Sequence, residues 1–319
     1  RNISKAPITA IEAKTTPICE PSPPSTTMAR MIADSMKTKD SGLMKPCLVA
    51  KNEPAKPPNI APMAKAVSLV LVGLMPSAWQ ARREWRTALE LASAAGRTRD
   101  LHEWPRGDGH PVIVLPGFLA GPESTAFLRS HLRRLGYQVH DWRHGRNLGA
   151  SPELAEELED LLLEIHDRYQ RRVSLVGWSA GGIYAREMAR ALPDYTRSVI
   201  TLGSPFRGHP ASTRAWRVYR LMNRHNLEKM FTDEALATRA APLSVPTTCI
   251  YSRNDGIVAW ECCLSDPAPL TENVEVTASH LGYGHEMHTL RVICDRLAQP
   301  EGAWLPYTGH APAVRGRAV

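Results

Sequence analysis

The chain has 319 residues, with 39 Lys and Arg against 32 Asp and Glu, for a formal net charge of +7 at pH 7. That length suits one large α/β domain or two small ones. The charge argues against a nucleic-acid partner: residues 1–78 alone hold ten Lys/Arg and five Asp/Glu, so most of the excess sits at one end rather than on a folded surface. The six cysteines, Cys19, Cys47, Cys249, Cys262, Cys263 and Cys294, include no C-x-x-C pair and form neither a disulfide framework nor a zinc pattern. They are expected mostly as small buried apolar side chains, and they fit a reducing, cytoplasmic setting slightly better than an oxidising one.

Residues 1–62 have no Phe, Trp or Tyr, carry prolines at Pro21, Pro23, Pro24 and from Pro54 to Pro62, and hold no period of 2 or 3.6. Such a stretch cannot bury enough apolar surface to offset its ordering entropy, so it is expected to be disordered. The chain opens on Arg rather than Met, which also fits a wrongly extended start with the natural one at an internal Met. Residues 63–108 form a second region. Lys65, the apolar run Ala66–Met75 and the small-residue end Pro76-Ser77-Ala78 resemble a signal peptide, which would imply export. The run is too short to span a membrane comfortably. The competing reading is a helix docked on the domain that follows.

A regular pattern occupies residues 109–300. Pro111–Leu115 reads as a buried strand, Glu123–Leu135 as a helix stopped by Gly136, and Tyr137–Trp142 as a second strand. Ser151 caps a helix through Tyr169, with Pro152 at its first position and Leu154, Leu158, Leu161, Leu162 and Ile165 on one face. Further strands are expected at Val173–Val176, Ser198–Leu202, Thr247–Ser252 and Asn273–Thr277, and a final helix from about His285 to Ala298. Short apolar strands alternating with amphipathic helices imply a mostly parallel sheet with helices on both faces. Residues 205–245 read as a helical insertion, over Thr213–Asn223, Asn226–Phe231 and Glu234–Ala240, and residues 301–319 as a Pro/Gly-rich tail.

Between a strand and a helix stands Gly177-Trp178-Ser179-Ala180-Gly181, a G-x-S-x-G sequence. A serine on a sharp strand-to-helix turn is a nucleophile elbow, whose tight packing leaves no room for a Cβ at the glycines. A serine hydroxyl is a poor nucleophile unless a base takes its proton and an acid orients that base. Asp255, in a turn just past a strand, and His280, in the loop past the last strand, would project from the same sheet edge as Ser179. His285 and His288 compete with His280, and Asp266 and Glu261 with Asp255. An oxyanion needs donors. The backbone N–H groups of Ala180, after the serine, and of Phe118, after the close-approach residue Gly117, are the candidates.

Val114-Leu115-Pro116-Gly117-Phe118, the elbow, Thr201-Leu202-Gly203-Ser204-Pro205-Phe206-Arg207-Gly208, Asp255-Gly256 and Ser279-His280-Leu281-Gly282 together resemble the α/β-hydrolase superfamily, on its bacterial lipase and esterase side. The likeness covers roughly residues 109 to 300. It implies an α/β-hydrolase fold, the catalytic residues Ser179, Asp255 and His280, an oxyanion hole at Phe118 and Ala180, and no cofactor. Two departures stand out. Many relatives have His-Gly where Pro116-Gly117 stands, and Phe206 replaces a usual His. The insertion would cap the serine and shape an acyl pocket, with Trp178, Phe206, Trp216 and Met222 as substrate-binding candidates. The expected activity is hydrolysis of hydrophobic acyl esters, with acyl transfer or thioester hydrolysis as alternatives. A non-catalytic binding module would need a broken constellation, and none is visible. The expected partner is a small ester or lipid, with no metal, no nucleic acid and no stable membrane span.

Overall fold

The computed structural model describes residues 83–97, 104–208, 213, 214, 216, 219 and 232–309. The expectations for 1–62, for 63–82, for most of the helical insertion and for the last ten residues fall outside them. Six strands form one sheet: β1 (Pro111–Leu115), β2 (Gln138–Asp141), β3 (Val173–Trp178), β4 (Thr196–Leu202), β5 (Thr247–Ser252) and β6 (Thr271–Val276). All neighbours pair in parallel, in the order β2-β1-β3-β4-β5-β6. Among the described residues six helices accompany them: α1 (Arg86–Arg97), α2 (Ala126–Arg134), α3 (Pro152–Tyr169), α4 (Ala180–Ala191), α5 (Asp233–Ala240) and α6 (Met287–Ala298).

Every residue of β1 is buried, so its apolar run shows no alternation, yet the side chains still part at period 2. Val112 and Val114 join a core with Leu128, Leu132, Ile293 and Leu297 of α2 and α6. Ile113 and Leu115 join the opposite core with Leu158, Leu162 and Ile165 of α3 and Ala185 and Met188 of α4. The sheet is therefore covered on both faces.

Local chemistry fixes where the helices begin. Ser151 Oγ accepts from the Leu154 amide at 3.2 Å, and Pro152 follows at the first position of α3. The stretch expected to start a helix at Glu123 forms a 3-10 turn over Pro122–Thr125 instead, where Ser124 Oγ donates to the Gly121 carbonyl at 2.6 Å, and the α-helix starts at Ala126. Helix α6 starts at Met287, not His285, because the Glu286 carboxylate accepts from the amides of His288 (3.0 Å) and Thr289 (2.8 Å). Beyond α6, the segment to Gly309 is held: Glu272 accepts from the Tyr307 amide at 2.6 Å, and Arg296 donates to the Leu305 carbonyl at 2.5 Å.

Register decides where the loops emerge. Leu115 pairs with Gly177, Trp178 with Leu202, Leu202 with Ile250, and Ser252 with Val276. The carboxyl ends of β1, β3, β4, β5 and β6 thus lie level along one edge. Winding also reverses between β1 and β3, since the chain goes from β1 out to β2 and returns to the other side of β1. In open α/β sheets the crevice at such a point is where ligands bind. Among the described residues no helix is long and apolar enough to cross a membrane.

Candidate active site

Ser179 sits at that reversal, between β3 and α4, with φ 54° and ψ −119°. A non-glycine residue there stores roughly 1–3 kcal/mol of backbone strain. Its neighbours hold it in place: the Ser179 amide donates to the Leu202 carbonyl at 2.8 Å, and its carbonyl accepts from the Gly182 amide at 3.1 Å. The flanking glycines are required by contact. A Cβ on Gly177 would strike the backbone of Gly181 and Gly182, and one on Gly181 would strike the Leu115 carbonyl and lie 2.7 Å from the Pro116 oxygen. These obstacles are backbone atoms and cannot swing aside. Gly181→Ala is therefore expected to destabilise the fold by about 1–3 kcal/mol, read as a lower thermal midpoint. An unchanged midpoint would contradict the tight packing of the elbow.

Asp255 and His280 meet at the same edge. His280 Nδ1 lies 2.6 Å from Asp255 Oδ2, and both side chains are almost wholly buried. The other oxygen, Oδ1, accepts from the Ile257 amide at 2.8 Å and the Val258 amide at 2.7 Å. With three donors on one carboxylate, Asp255 is set as an acceptor toward His280. Burial acts to lower the His280 pKa, but the charge and hydrogen bond of Asp255, with a contribution from the charge of Glu84, outweigh it and hold the imidazole above 6.5. Trp178 steadies the same loop: its Nε1 donates to the His280 carbonyl at 3.0 Å, and its ring lies 6.0 Å from the imidazole.

The loop after β1 approaches from the other side. A Cβ on Gly117 would lie 3.2 Å from Ser179 Cβ, a tight contact that would press on the serine, and glycine avoids it. The Leu119 amide donates to the Asn147 carbonyl at 2.7 Å and the Ala120 amide to the Gly117 carbonyl at 3.1 Å, leaving the Phe118 N–H without a partner among the described residues. Ala180, as the first residue of α4, has no intrahelical acceptor for its N–H. Asn147 clamps the loop: its Nδ2 donates to the Pro116 carbonyl at 3.0 Å, and its Oδ1 accepts from Tyr184 at 3.1 Å and from the Gly149 amide at 3.1 Å.

The rival residues lie elsewhere. His285 Nε2 faces the Thr87 carbonyl at 3.1 Å, and His288 belongs to the first turn of α6. Asp266 pairs with Arg207, and Glu261 lies in the 3-10 turn Trp260–Cys263. Of the substrate-binding candidates, Trp178 touches the His280 loop. Trp216 stacks on Tyr219 at 6.1 Å, and Tyr219 meets the Phe118 ring edge-on at 5.0 Å, so part of the insertion reaches the β1 loop. Phe206 is fully buried beneath the Arg186 guanidinium, 4.0 Å from its ring centre, which is a packing position rather than an open one. Met222 lies outside the described residues. No group of three or more His, Cys, Asp or Glu among the described residues is placed to hold a metal ion.

A serine–histidine–aspartate arrangement exists at the opposite edge of the sheet. His110 Nδ1 lies 2.5 Å from Asp108 Oδ1, His110 Nε2 lies 2.9 Å from Ser174 Oγ, and Ser174 Oγ lies 3.0 Å from Ser198 Oγ. Burial and the charge of Arg197 push His110 down to about 4, so at neutral pH it is uncharged and Nε2 accepts from a hydroxyl. Burial alone would raise the Asp108 pKa, but hydrogen bonds from Arg197 and His110 hold it far below the usual carboxylate range. Ser174 is fully buried within β3, between β1 and β4, and no substrate can reach it. This cluster closes the amino-terminal edge of the sheet.

Sequence reasoning missed Asn147 and three residues before β1, namely Glu84, Thr87 and Glu90, which bond to the loops of Asp255 and His280. Each is an ordinary polar residue in a loop or helix, and no local pattern distinguishes it.

A six-stranded parallel sheet with a strained serine elbow after β3, a carboxylate after β5 and a histidine after β6 defines the α/β-hydrolase fold, and this chain has it. No family model matches the chain. Over 104 residues it is 28% identical to a pimeloyl-[acyl-carrier protein] methyl ester esterase of Shewanella woodyi, covering 33% of this chain and 40% of that protein. Over 118 residues it is 30% identical to a phosphatidylcholine-sterol acyltransferase of Gallus gallus, covering 34% of this chain and 27% of that one. The match therefore spans less than half the length of these relatives. A similar solved structure, Bacillus licheniformis lipase BlEst2 in mature form, is 15% identical with a TM-score of 0.46, covering 60% of this chain and 92% of that one.

Proposed function

We propose that the chain is a serine hydrolase of carboxylic esters with apolar acyl groups. The observation that carries this reading is the 2.6 Å His280–Asp255 pair at the sheet edge where Ser179 is held at φ 54°. Ser179 Oγ attacks the ester carbonyl carbon while His280 Nε2 takes its proton, and Asp255 stabilises the imidazolium that forms. The N–H groups of Phe118 and Ala180 receive the developing oxyanion. The C–O bond then breaks, His280 protonates the departing alcohol, and an acyl-enzyme remains on Ser179. Water, deprotonated by the same imidazole, attacks the acyl carbon; the bond to Ser179 Oγ breaks, His280 returns the proton to Oγ, and the acid leaves. The aromatic run Phe118–Tyr219–Trp216 and the exposed side chains of Leu119, Leu148 and Leu281 on the surrounding loops support an apolar substrate.

Graded p-nitrophenyl esters test the reading, with kcat/KM expected to rise from acetate toward longer acyl chains. A folded protein that turns over none of them would sink it. The pH profile follows from the imidazole. His280 must be neutral to accept a proton, and its pKa is raised, so kcat/KM is expected to fall as pH drops through a midpoint above 6.5. A midpoint below 6.5 would contradict the coupling to Asp255.

Similarity to an acyltransferase favours one further reading: the same acyl-enzyme, resolved by an alcohol or delivered from a thioester. Product analysis with competing alcohols and acyl thioesters distinguishes the two.

A further inference from the structure

We propose that the segment Arg83–Arg97, through Glu84 and with Thr87 and Glu90 beside it, positions the two loops that carry Asp255 and His280. The inference rests on the hydrolase reading for its kinetic consequences and on geometry for its substance. Glu84 lies in the 3-10 turn Arg83–Trp85 that leads into α1. Its Oε1 accepts from the amide of Gly256, the residue after Asp255, at 2.8 Å, and from the amide of His280 itself at 3.0 Å. Its Oε2 accepts from the Leu281 amide at 3.0 Å. One carboxylate therefore joins the aspartate turn to the histidine loop.

Thr87 and Glu90 follow at intervals of three and continue the same face. Glu90 accepts from the Ser279 amide at 3.1 Å and from the Ser279 hydroxyl at 2.6 Å. Thr87 Oγ1 lies 2.8 Å from Ser279 Oγ, and the Thr87 carbonyl faces His285 Nε2 at 3.1 Å. The consecutive amides of Ser279, His280 and Leu281 all end on carboxylates of this segment. The His280 carbonyl is taken by Trp178 on the other side. The histidine backbone is thereby fixed from both directions, and charge-assisted bonds to carboxylates are the stronger kind. Around the imidazole, Asp255 comes from the β5 turn, Glu84 from this segment and Tyr283 from the same loop, with its ring edge-on at 6.0 Å. Burial and the charge of Asp255 keep the Tyr283 phenol protonated. Glu90 acts at one remove, through Ser279.

The amides of Gly256, His280 and Leu281 form a cradle shaped for the Glu84 carboxylate, which suggests its own test. Glu84→Gln keeps the packing but puts an NH₂ where an amide N–H needs an acceptor. The expected result is a kcat lower by about 10–100-fold with KM within about twofold. The acid limb of kcat/KM should also move to lower pH, because a negative charge facing His280 is gone. Glu84→Ala empties the cradle, and added formate is expected to restore part of kcat with a saturable dependence that chloride at equal ionic strength does not reproduce. A readout independent of the reaction is the downfield NMR signal of the His280 Nδ1 proton, expected to shift or broaden in Glu84→Gln. Wild-type protein without esterase activity or fluorophosphonate labelling would overturn the functional reading alone. A Glu84→Gln protein matching wild type in His280 signal, kcat and acid limb would overturn this inference.

Discussion

Replacing Ser179 by alanine is expected to lower kcat on p-nitrophenyl esters by about 10⁴-fold or more, with the thermal midpoint within a degree or two of wild type. The size follows from what is removed. Without Oγ no acyl-enzyme forms, and only the oxyanion donors and substrate binding remain to accelerate direct attack by water. The backbone at position 179 accepts alanine no worse than serine, since the strain at φ 54° comes from the main chain and Cβ, which both residues share. A fluorophosphonate should label wild type once, at Ser179, and leave the variant unlabelled. Ser174 is the internal control. It has a histidine and an aspartate in line, but it is sealed inside the sheet and should stay unmodified until the protein unfolds. Residual activity of a few per cent in the alanine variant, or label on Ser174 in the native state, would refute the assignment.

Asp255→Asn is expected to cost about as much, on the order of 10⁴-fold in kcat. Its oxygen can still accept from the amides of Ile257 and Val258, so the turn after β5 keeps its shape. What changes is the partner of His280 Nδ1. An amide NH₂ there donates where the carboxylate accepted, which favours the imidazole tautomer with its proton on Nε2. That tautomer cannot take a proton from Ser179. Fluorophosphonate labelling of Ser179 should slow in proportion, since it needs the same activation. A variant whose kcat stays within tenfold of wild type would mean that Asp255 only builds the turn.

Much of the sheet was legible because each strand is a short apolar run next to a glycine, proline or polar break, as in Pro111–Leu115 and Thr247–Ser252. The site edge was legible for the same reason: a serine, an aspartate and a histidine each stand a few residues past a strand end, and parallel strands send all such loops to one side. Helix starts were less readable. Glu286 caps α6 two residues later than expected, and carboxylate caps do not stand out among ordinary charged residues. The supports of the site were not readable at all. Asn147 serves the β1 loop from 31 residues away and Glu84 serves His280 from 196. Nothing in the local pattern of either residue encodes a partner that only the fold brings near. The Asp108–His110–Ser174 cluster shows the converse, because three suggestive residue types came together at the edge that substrates cannot reach.

The order of synthesis gives the Glu84 contact a further consequence. Its carboxylate leaves the ribosome early and its three amides late, the His280 amide being 196 residues behind it. At roughly 5–20 residues per second, that is a wait of about 10–40 s during which Glu84 and Glu90 have no native partners. The sheet can assemble strand by strand in that time, while the elbow stands exposed beside a histidine loop not yet made. On the proposed reading, Ser179 is armed only when the turn that carries Glu84 and the loop that carries His280 close on each other.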